Sequence, residues 1–405
     1  GRVRIANKYA FTNLSALECL WQIESDGEIL EEGVLPDVDI APRASASVTV
    51  PFSMPTAEPG RAYWLNLRFR LRANTRWAEQ GHELARAQFE LPIARPAPMQ
   101  AMDKTPEITV DDTDGEAVVT GEGFRLVFDT IAGTLSSWQV GGRELVAGSL
   151  RAQLWRAPTD NDRISGAAKR WLGGGLHDPG WNVDRVDVDV VSSREVRVTI
   201  AATAARSAFT WRFTVYGSGD VLLEQTFRPG DGLPDLPRLG VQLRLPGEYN
   251  HLAWLGRGPF ESYPDRKQGA FLGVYDEVVC AWGLPYVMPQ EYGNKTDVRW
   301  AALLDEEGVG LAVIGMPEFQ VSAHPWTTEH LTEATQTFLL REDGPISLNL
   351  DFAVSGLGNG SCGPATLPEY LVQPEMRVDR LRLRPVKCPD GVAQTGLVKP
   401  YELPG

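Results

Sequence analysis

The sequence predicts an all-β chain, a small sandwich followed by a large antiparallel one, on three observations. Tyr63 to Arg72 alternates apolar and polar residues, which sends Tyr63, Leu65, Leu67, Phe69 and Leu71 to one face and the arginines to water. Asp26-Gly27 separates two strand-like runs, the strongest short hairpin signal a sequence offers. Beyond residue 107, strand follows strand with a single helical pattern, Ser165 to Leu172, which the glycines at 173 to 175 stop. A parallel sheet would need amphipathic helices between its strands, so the pairing is expected to be antiparallel.

In order, strands are expected at Val3 to Phe11, Cys19 to Glu24, Glu28 to Val34, Ser47 to Phe52, Tyr63 to Arg72 and Glu83 to Leu91. Six or seven short strands in about 90 residues suit a small sandwich at 1–93. Pro92, Pro96 and Pro98 disfavour helix and cannot ladder in a central strand, so 94–106 reads as a semi-rigid linker. The large sandwich is expected at 107–386. Its strands read at Phe124 to Asp129, Leu135 to Val140, Glu144-Leu145, Val183 to Val191, Val196 to Ala202, Phe209 to Tyr216 and Val221 to Phe227, then Val241 to Leu245, Val309 to Ile314, Phe338 to Leu340 and Ile346 to Phe352. Residues 387–405, rich in proline and glycine, read as a loose C-terminal extension.

At 405 residues the chain has ample interior for burial without staples. The four cysteines, Cys19, Cys280, Cys362 and Cys388, show no CxxC spacing, which argues against zinc or thioredoxin-like chemistry and fits a reducing, cytoplasmic compartment. A net charge of -14 would repel nucleic acid and anionic membranes alike. Nothing approaches the roughly 20 apolar residues that span a bilayer, and the chain opens on a strand-like run with no signal segment. Asn13, Asn294 and Asn359 match the glycosylation acceptor pattern by chance in that context.

The densest segment is Trp254 to Arg266, with Gly256, Arg257, Gly258, Pro259, Glu261, Tyr263, Pro264, Asp265 and Arg266 inside thirteen residues. The glycines permit backbone conformations that a Cβ forbids, the prolines stiffen the turn, and the two arginines and two acids can cross-link it. On residue physics alone it reads as a rigid corner. It also resembles the signature of the small-chain domain of the large bacterial β-galactosidases of glycoside hydrolase family 2.

Two further stretches carry the same resemblance: Arg156 to Asp162, and Tyr286 to Asn294 with Pro289, Gln290 and Glu291, where Tyr292 departs from the family's asparagine. Val3 to Phe11 through Trp77 to Glu83 is similar to the immunoglobulin-like domain that precedes the small chain. The resemblance thus implies an immunoglobulin-like β-sandwich and a galactose-mutarotase-like super-sandwich, over residues 1–386.

A retaining glycosidase needs two carboxyl groups about 5 to 5.5 Å apart. Neither family motif for them occurs here. The resemblance places both in a catalytic barrel that precedes this region, so no catalytic residue and no metal or other cofactor is assigned to this chain. It implies magnesium and sodium in the whole enzyme, a β-galactoside substrate, the N-terminal domains and barrel as partners, and a homo-oligomer when intact.

Two segments are expected near the substrate. The resemblance aligns Cys362, in Gly358 to Pro364, with a position where a tryptophan lines the aglycone side; a cysteine there leaves a roomier, weaker acceptor subsite. A tight turn with an incidental thiol is the alternative. Asp160, Asn161, Asp162 and Arg163 correspond to the start of a mobile loop near the entrance, or else form a structural turn hinged at Gly166. The histidines, His324 and His330 among them, are expected to be satisfied or exposed, not metal ligands. Two other functions remain open: an aldose epimerase, which needs a histidine acid facing a carboxylate base, and a noncatalytic carbohydrate-binding or scaffold module.

Overall fold

A computed structural model describes residues 1–36, 38–94, 105–279 and 286–387, which fall into two compact units. Nearly all of the expected linker at 94–106 and C-terminal extension at 387–405 lies outside the described residues, as do Cys280 and Cys388.

The first unit contains β1 (Arg2–Ala6), β2 (Leu17–Ser25), β3 (Glu28–Leu35), β4 (Ser45–Thr49), β5 (Tyr63–Leu71) and β6 (Glu83–Glu90). A two-stranded sheet, β1-β4, faces a four-stranded one, β3-β2-β5-β6, with every pair antiparallel. Asp26 and Gly27 turn the β2-β3 hairpin with φ of 48° and 83°, the left-handed pair that matches strand twist. Cys19, Trp21, Ile23, Leu65 and Leu67 fill the core, and Val3, Ile5, Ala46 and Val48 of the smaller sheet pack onto it. The alternation in β5 holds except at Trp64, which is buried on the face expected to be wet. Burial pushes the Cys19 thiol up to about 12, leaving it a small core hydrophobe.

The second unit opens with a five-stranded sheet of β7 (Thr109–Thr113), β8 (Glu116–Gly121), β9 (Phe124–Asp129), β10 (Thr134–Val140) and β11 (Arg143–Glu144). Then come β12 (Gly148–Gln153), the short helices α1 (Asp160–Ile164) and α2 (Ala167–Gly173), β13 (Asn182–Ser192), β14 (Glu195–Ala204), β15 (Ser207–Tyr216), β16 (Val221–Arg228), β17 (Arg238–Leu245), β18 (His251–Gly258), β19 (Phe271–Val278), β20 (Lys295–Leu304) and β21 (Val309–His324). Helix α3 (Thr328–Glu333), β22 (Ile346–Val354) and β23 (Arg377–Lys387) complete it. The large sheet runs β12-β17-β22-β21-β23-β16-β15-β14-β13, with β18 and β19 joined to it through β20. Phe128 and Trp138 of the small sheet meet Trp211, Phe213, Val241 and Leu350 of the large one in a shared core, Phe128 and Phe213 lying 5.2 Å apart between ring centroids. Both units are thus antiparallel sandwiches, the all-β class expected.

Four local expectations change. The helix expected at Ser165 to Leu172 is present as α2, but a second one, α1, precedes it, and Gly166 with φ of 80° separates them as the N-cap of α2. Phe338 to Leu340 is not a strand: Thr337 bonds the carbonyls of Tyr286 and Val287, and a 3-10 turn forms at Thr337–Leu339. Gly256 and Gly258 do not take left-handed conformations but lie inside β18, where a Cβ would stand 2.8 Å from a Val298 methyl and 2.5 Å from the Tyr275 ring. They are close-approach glycines. His324 is neither hydrogen-bonded nor exposed, as described below.

One feature of the large sheet positions the site. Along β12, β17, β22 and β21 the side chains facing the core are apolar, while Gln153, Gln242, Asn349 and Ser322 on the other face are also buried and bonded to one another. Thr328 of α3 accepts from Gln153 and Gln242, so α3 lies over this polar face.

Candidate functional site

After β12 the chain turns inward, and residues 153–159 are all buried. Thr159 caps α1 through a reciprocal box: its side chain accepts from the Asp162 N–H while the Asp162 carboxylate accepts from the Thr159 N–H at 2.9 Å. That carboxylate also pairs with Arg156, at 2.8 Å from Nη2 and 3.2 Å from Nε. Arg156 has no exposed surface, and it donates to the carbonyls of Ser355 at 2.5 Å and Gly356 at 3.1 Å. A buried bidentate pair with its remaining donors satisfied is the form that tolerates desolvation. One guanidinium therefore ties α1 to the segment after β22.

The third motif reaches the same place. The Glu291 N–H donates to the Ala157 carbonyl at 2.9 Å, Gln290 accepts from the Asp160 N–H at 3.1 Å, and the Pro289 carbonyl accepts from Arg163 at 3.5 Å. The Glu291 carboxylate accepts from Arg238 at 2.9 Å and from the Tyr263 hydroxyl at 3.4 Å. Arg238, from β17, stands 3.3 Å from Asp351 of β22 as well. All are closed to water.

Two buried arginines thus face three buried carboxylates, Asp162, Glu291 and Asp351. Burial raises the Asp351 pKa to about 7, Glu291 pushes in the same direction, and Arg238 pulls against both. Burial likewise lifts the Tyr263 phenol well above its ordinary value, with Glu291 adding to it.

The glycine-rich motif supplies the outer frame. Arg257 and Lys267 pair with Asp297 at 2.5 and 2.8 Å, Arg266 with Glu261, and the Pro259 carbonyl accepts from Lys295 at 3.3 Å. Glu261 also accepts from the Gly293 N–H at 2.8 Å, joining this motif to the third. Asp265 instead reaches the turn that carries Cys362, accepting from the N–H groups of Leu357 and Gly358. Asn161 of α1 grips that turn from the opposite flank. Cys362 is exposed at its tip.

The structure therefore brings together the segments singled out within the second unit: Arg156–Arg163, Gly256–Arg266, Pro289–Glu291 and the Cys362 turn. Sequence reasoning missed Arg238, Asp351 and Asp297, and expected His324 to be satisfied or exposed, which it is not. His324, at the end of β21, is buried against Tyr292 with ring centroids 4.6 Å apart, and neither ring nitrogen has a hydrogen-bond partner. Burial, helped by Arg238 and Lys295, lowers its pKa to about 3, so it is neutral.

Chemically, the arrangement is a closed ionic clasp. Asp162 and Glu291 are spent on arginines, while His324 and Asp351, whose polar atoms lack hydrogen-bond partners, are sealed from any diffusing substrate. The donors suit guanidinium groups, not a metal, and among the described residues no cluster of three or more His, Cys, Asp or Glu could hold a metal ion. What the clasp presents outward is the Cys362 turn and the start of α1. Among the described residues no helix is long and apolar enough to cross a membrane.

Comparison with known proteins agrees with the motifs. Residues 120–381 match the family described as beta galactosidase small chain, and residues 3–92 match beta-galactosidase domain 4. A beta-galactosidase of Priestia megaterium is 31% identical over 376 residues, covering 91% of this chain and 36% of its own length. One from Klebsiella pneumoniae (strain 342) is 30% identical over 394 residues, with 92% and 36% covered, and one from Arthrobacter sp. (strain B7) is 29% identical, with 94% and 39% covered. The chain thus spans little more than a third of the relatives it matches. Among solved structures, a galactose 1-epimerase from Lactobacillus acidophilus NCFM has a TM-score of 0.34 at 11% identity, covering 69% of this chain and 98% of that one. Two matches in family order, with the first family's motifs converged in space, lead to one conclusion: the chain belongs to the β-galactosidase small-chain family.

Proposed function

We propose that this chain is the C-terminal part of a cytoplasmic β-galactosidase, a homo-oligomer that hydrolyses terminal non-reducing β-D-galactosyl residues with retention. The observation that carries this reading is the meeting of three family motifs and the Cys362 turn around one buried clasp. In it, both reacting carboxylates and the magnesium and sodium ions belong to the portion of the enzyme outside this chain. The chain braces the catalytic barrel and presents the Cys362 turn to the aglycone side, where a small, polarizable thiol leaves the acceptor subsite open.

The test compares the full-length parent with the 405-residue chain. The parent is expected to release galactose from a nitrophenyl β-galactoside with the anomeric configuration kept, and the chain alone to give no turnover. A parent without that activity, or a chain with it, would sink the reading. Within the parent, Cys362→Trp should tighten binding of glucose and planar aglycones by offering a stacking face. His324 and Asp351, both buried, could not serve the epimerase alternative as an accessible acid and base.

A further inference from the structure

The turn at 357–363 is braced from two sides. Within it, Gly358 has φ of 60°, and the Asn359 carbonyl accepts from the N–H groups of Cys362 at 3.0 Å and Gly363 at 2.7 Å. Those bonds shape the turn without fixing where it sits. Asp265 holds its base through two N–H groups. Its tip is held by one side chain: the Asn161 amide donates to the Gly358 carbonyl at 2.6 Å, and its oxygen accepts from the Ser361 N–H at 3.0 Å and the Ser361 hydroxyl at 2.6 Å.

Only an amide can make this set, because donor and acceptor lie in one plane on opposite sides of one carbon. Aspartate would keep the two bonds to Ser361 and turn a second acceptor against the Gly358 carbonyl. Gly360 completes the fit: a Cβ there would stand 2.8 Å from the Ser165 side chain and 2.9 Å from the Asn161 carbonyl, so the turn rests directly on α1. Helix α1 is itself immobilised by the Asp162–Arg156 pair. A rigid path thus runs from the buried guanidinium through α1 and Asn161 to the residue next to Cys362.

We propose that Asn161 is the positioning residue for the acceptor side, fixing the Cys362 turn so that an incoming sugar hydroxyl competes with water for the galactosyl group. This rests on the reading above that the turn faces the aglycone site. The galactosyl group passes from the enzyme either to water, giving galactose, or to an acceptor hydroxyl, giving a new galactoside; in both cases the proton of the attacking hydroxyl goes to the enzyme's base. The product ratio depends on how well the acceptor is held and not on how fast the galactosyl group is first taken up.

The test has two arms. In the 405-residue chain with Cys280 and Cys388 changed to serine, Cys362 is the accessible thiol, Cys19 being buried. Asn161→Ala is expected to speed its reaction with a disulfide reagent and to increase the mobility of a nitroxide placed on it, with Asn161→Asp intermediate; the melting curve checks that each variant is folded. In the full-length parent with glucose as acceptor, Asn161→Ala is expected to lower the ratio of transfer to hydrolysis on the order of tenfold, with Asn161→Asp recovering part of it. Unchanged thiol reactivity and label mobility would overturn the proposal outright. A changed turn with an unchanged product ratio overturns its functional half, and Cys362→Trp then locates the fault. If that substitution still alters acceptor affinity, Asn161 is the error; if it does not, the acceptor-side reading itself fails.

Discussion

The Asp265 carboxylate accepts the Gly358 N–H at 2.7 Å, ninety-three residues along the chain, and its other oxygen accepts the Leu357 N–H at 3.0 Å. Charge-assisted bonds to half-buried backbone donors are worth more than neutral ones, and removing the acceptor strands both donors. Asp265→Ala is expected to destabilise the second unit by about 2 to 4 kcal/mol, and Asp265→Asn by roughly half of that, because one carbonyl oxygen remains. Chemical denaturation measures it; an unshifted midpoint for the alanine variant would show that the turn holds its place without the carboxylate.

The Arg156–Asp162 pair makes a different prediction, since both partners are sealed from water. Arg156→Met leaves an unpaired buried charge and should cost about 3 to 5 kcal/mol, whereas the double change Arg156→Met with Asp162→Leu should cost less than the sum of the single changes. The double variant still loses the bonds to the Ser355 and Gly356 carbonyls and the Asp162 half of the α1 capping box, so it does not return to the original stability. Additive costs would mean that the two side chains do not act as a pair.

At Gly258 the neighbour to relieve is known. A methyl group there meets the Tyr275 ring at 2.5 Å, so Gly258→Ala should destabilise by about 1 to 3 kcal/mol, and Tyr275→Val should recover part of the loss by removing the ring. Calorimetry of the single and double variants checks this. No recovery would place the strain elsewhere in β18.

The sequence shows the strands because most have one apolar face, and period-two alternation is a local signal. The same signal misleads in β22. Leu348-Asn349-Leu350-Asp351 reads as a strand with a wet polar face, yet Asn349 and Asp351 are buried, because α3 and the Tyr286–Asn294 segment cover that face from far along the chain. Arg238 was missed, and His324 wrongly expected to be satisfied or exposed, for the same reason. The motifs were legible through their density of glycine, proline and charge. Their partners were not: Arg156 and Ser355 are 199 residues apart, and nothing local to either announces the other.

Those hidden residues give the pH prediction. Asp351 titrates near 7 when folded against 3.8 for the free carboxyl, so between these values the native state holds a proton that the unfolded chain has lost, and stability falls as pH rises across that window. His324 titrates near 3 against 6.5, so between these values the unfolded chain holds the extra proton and stability rises with pH. The two windows overlap and the slopes oppose, so in the natural sequence they largely cancel from about pH 4 to 6.5. Removing either group should expose the other. Asp351→Asn is expected to leave stability climbing with pH through that range relative to the natural chain, and His324→Gln to leave it descending up to about pH 7. Denaturation midpoints collected from pH 4 to 8 for the three proteins decide it, and changes of slope of the same sign in both variants, each taken against the natural chain, would rule out this opposed pair of buried groups.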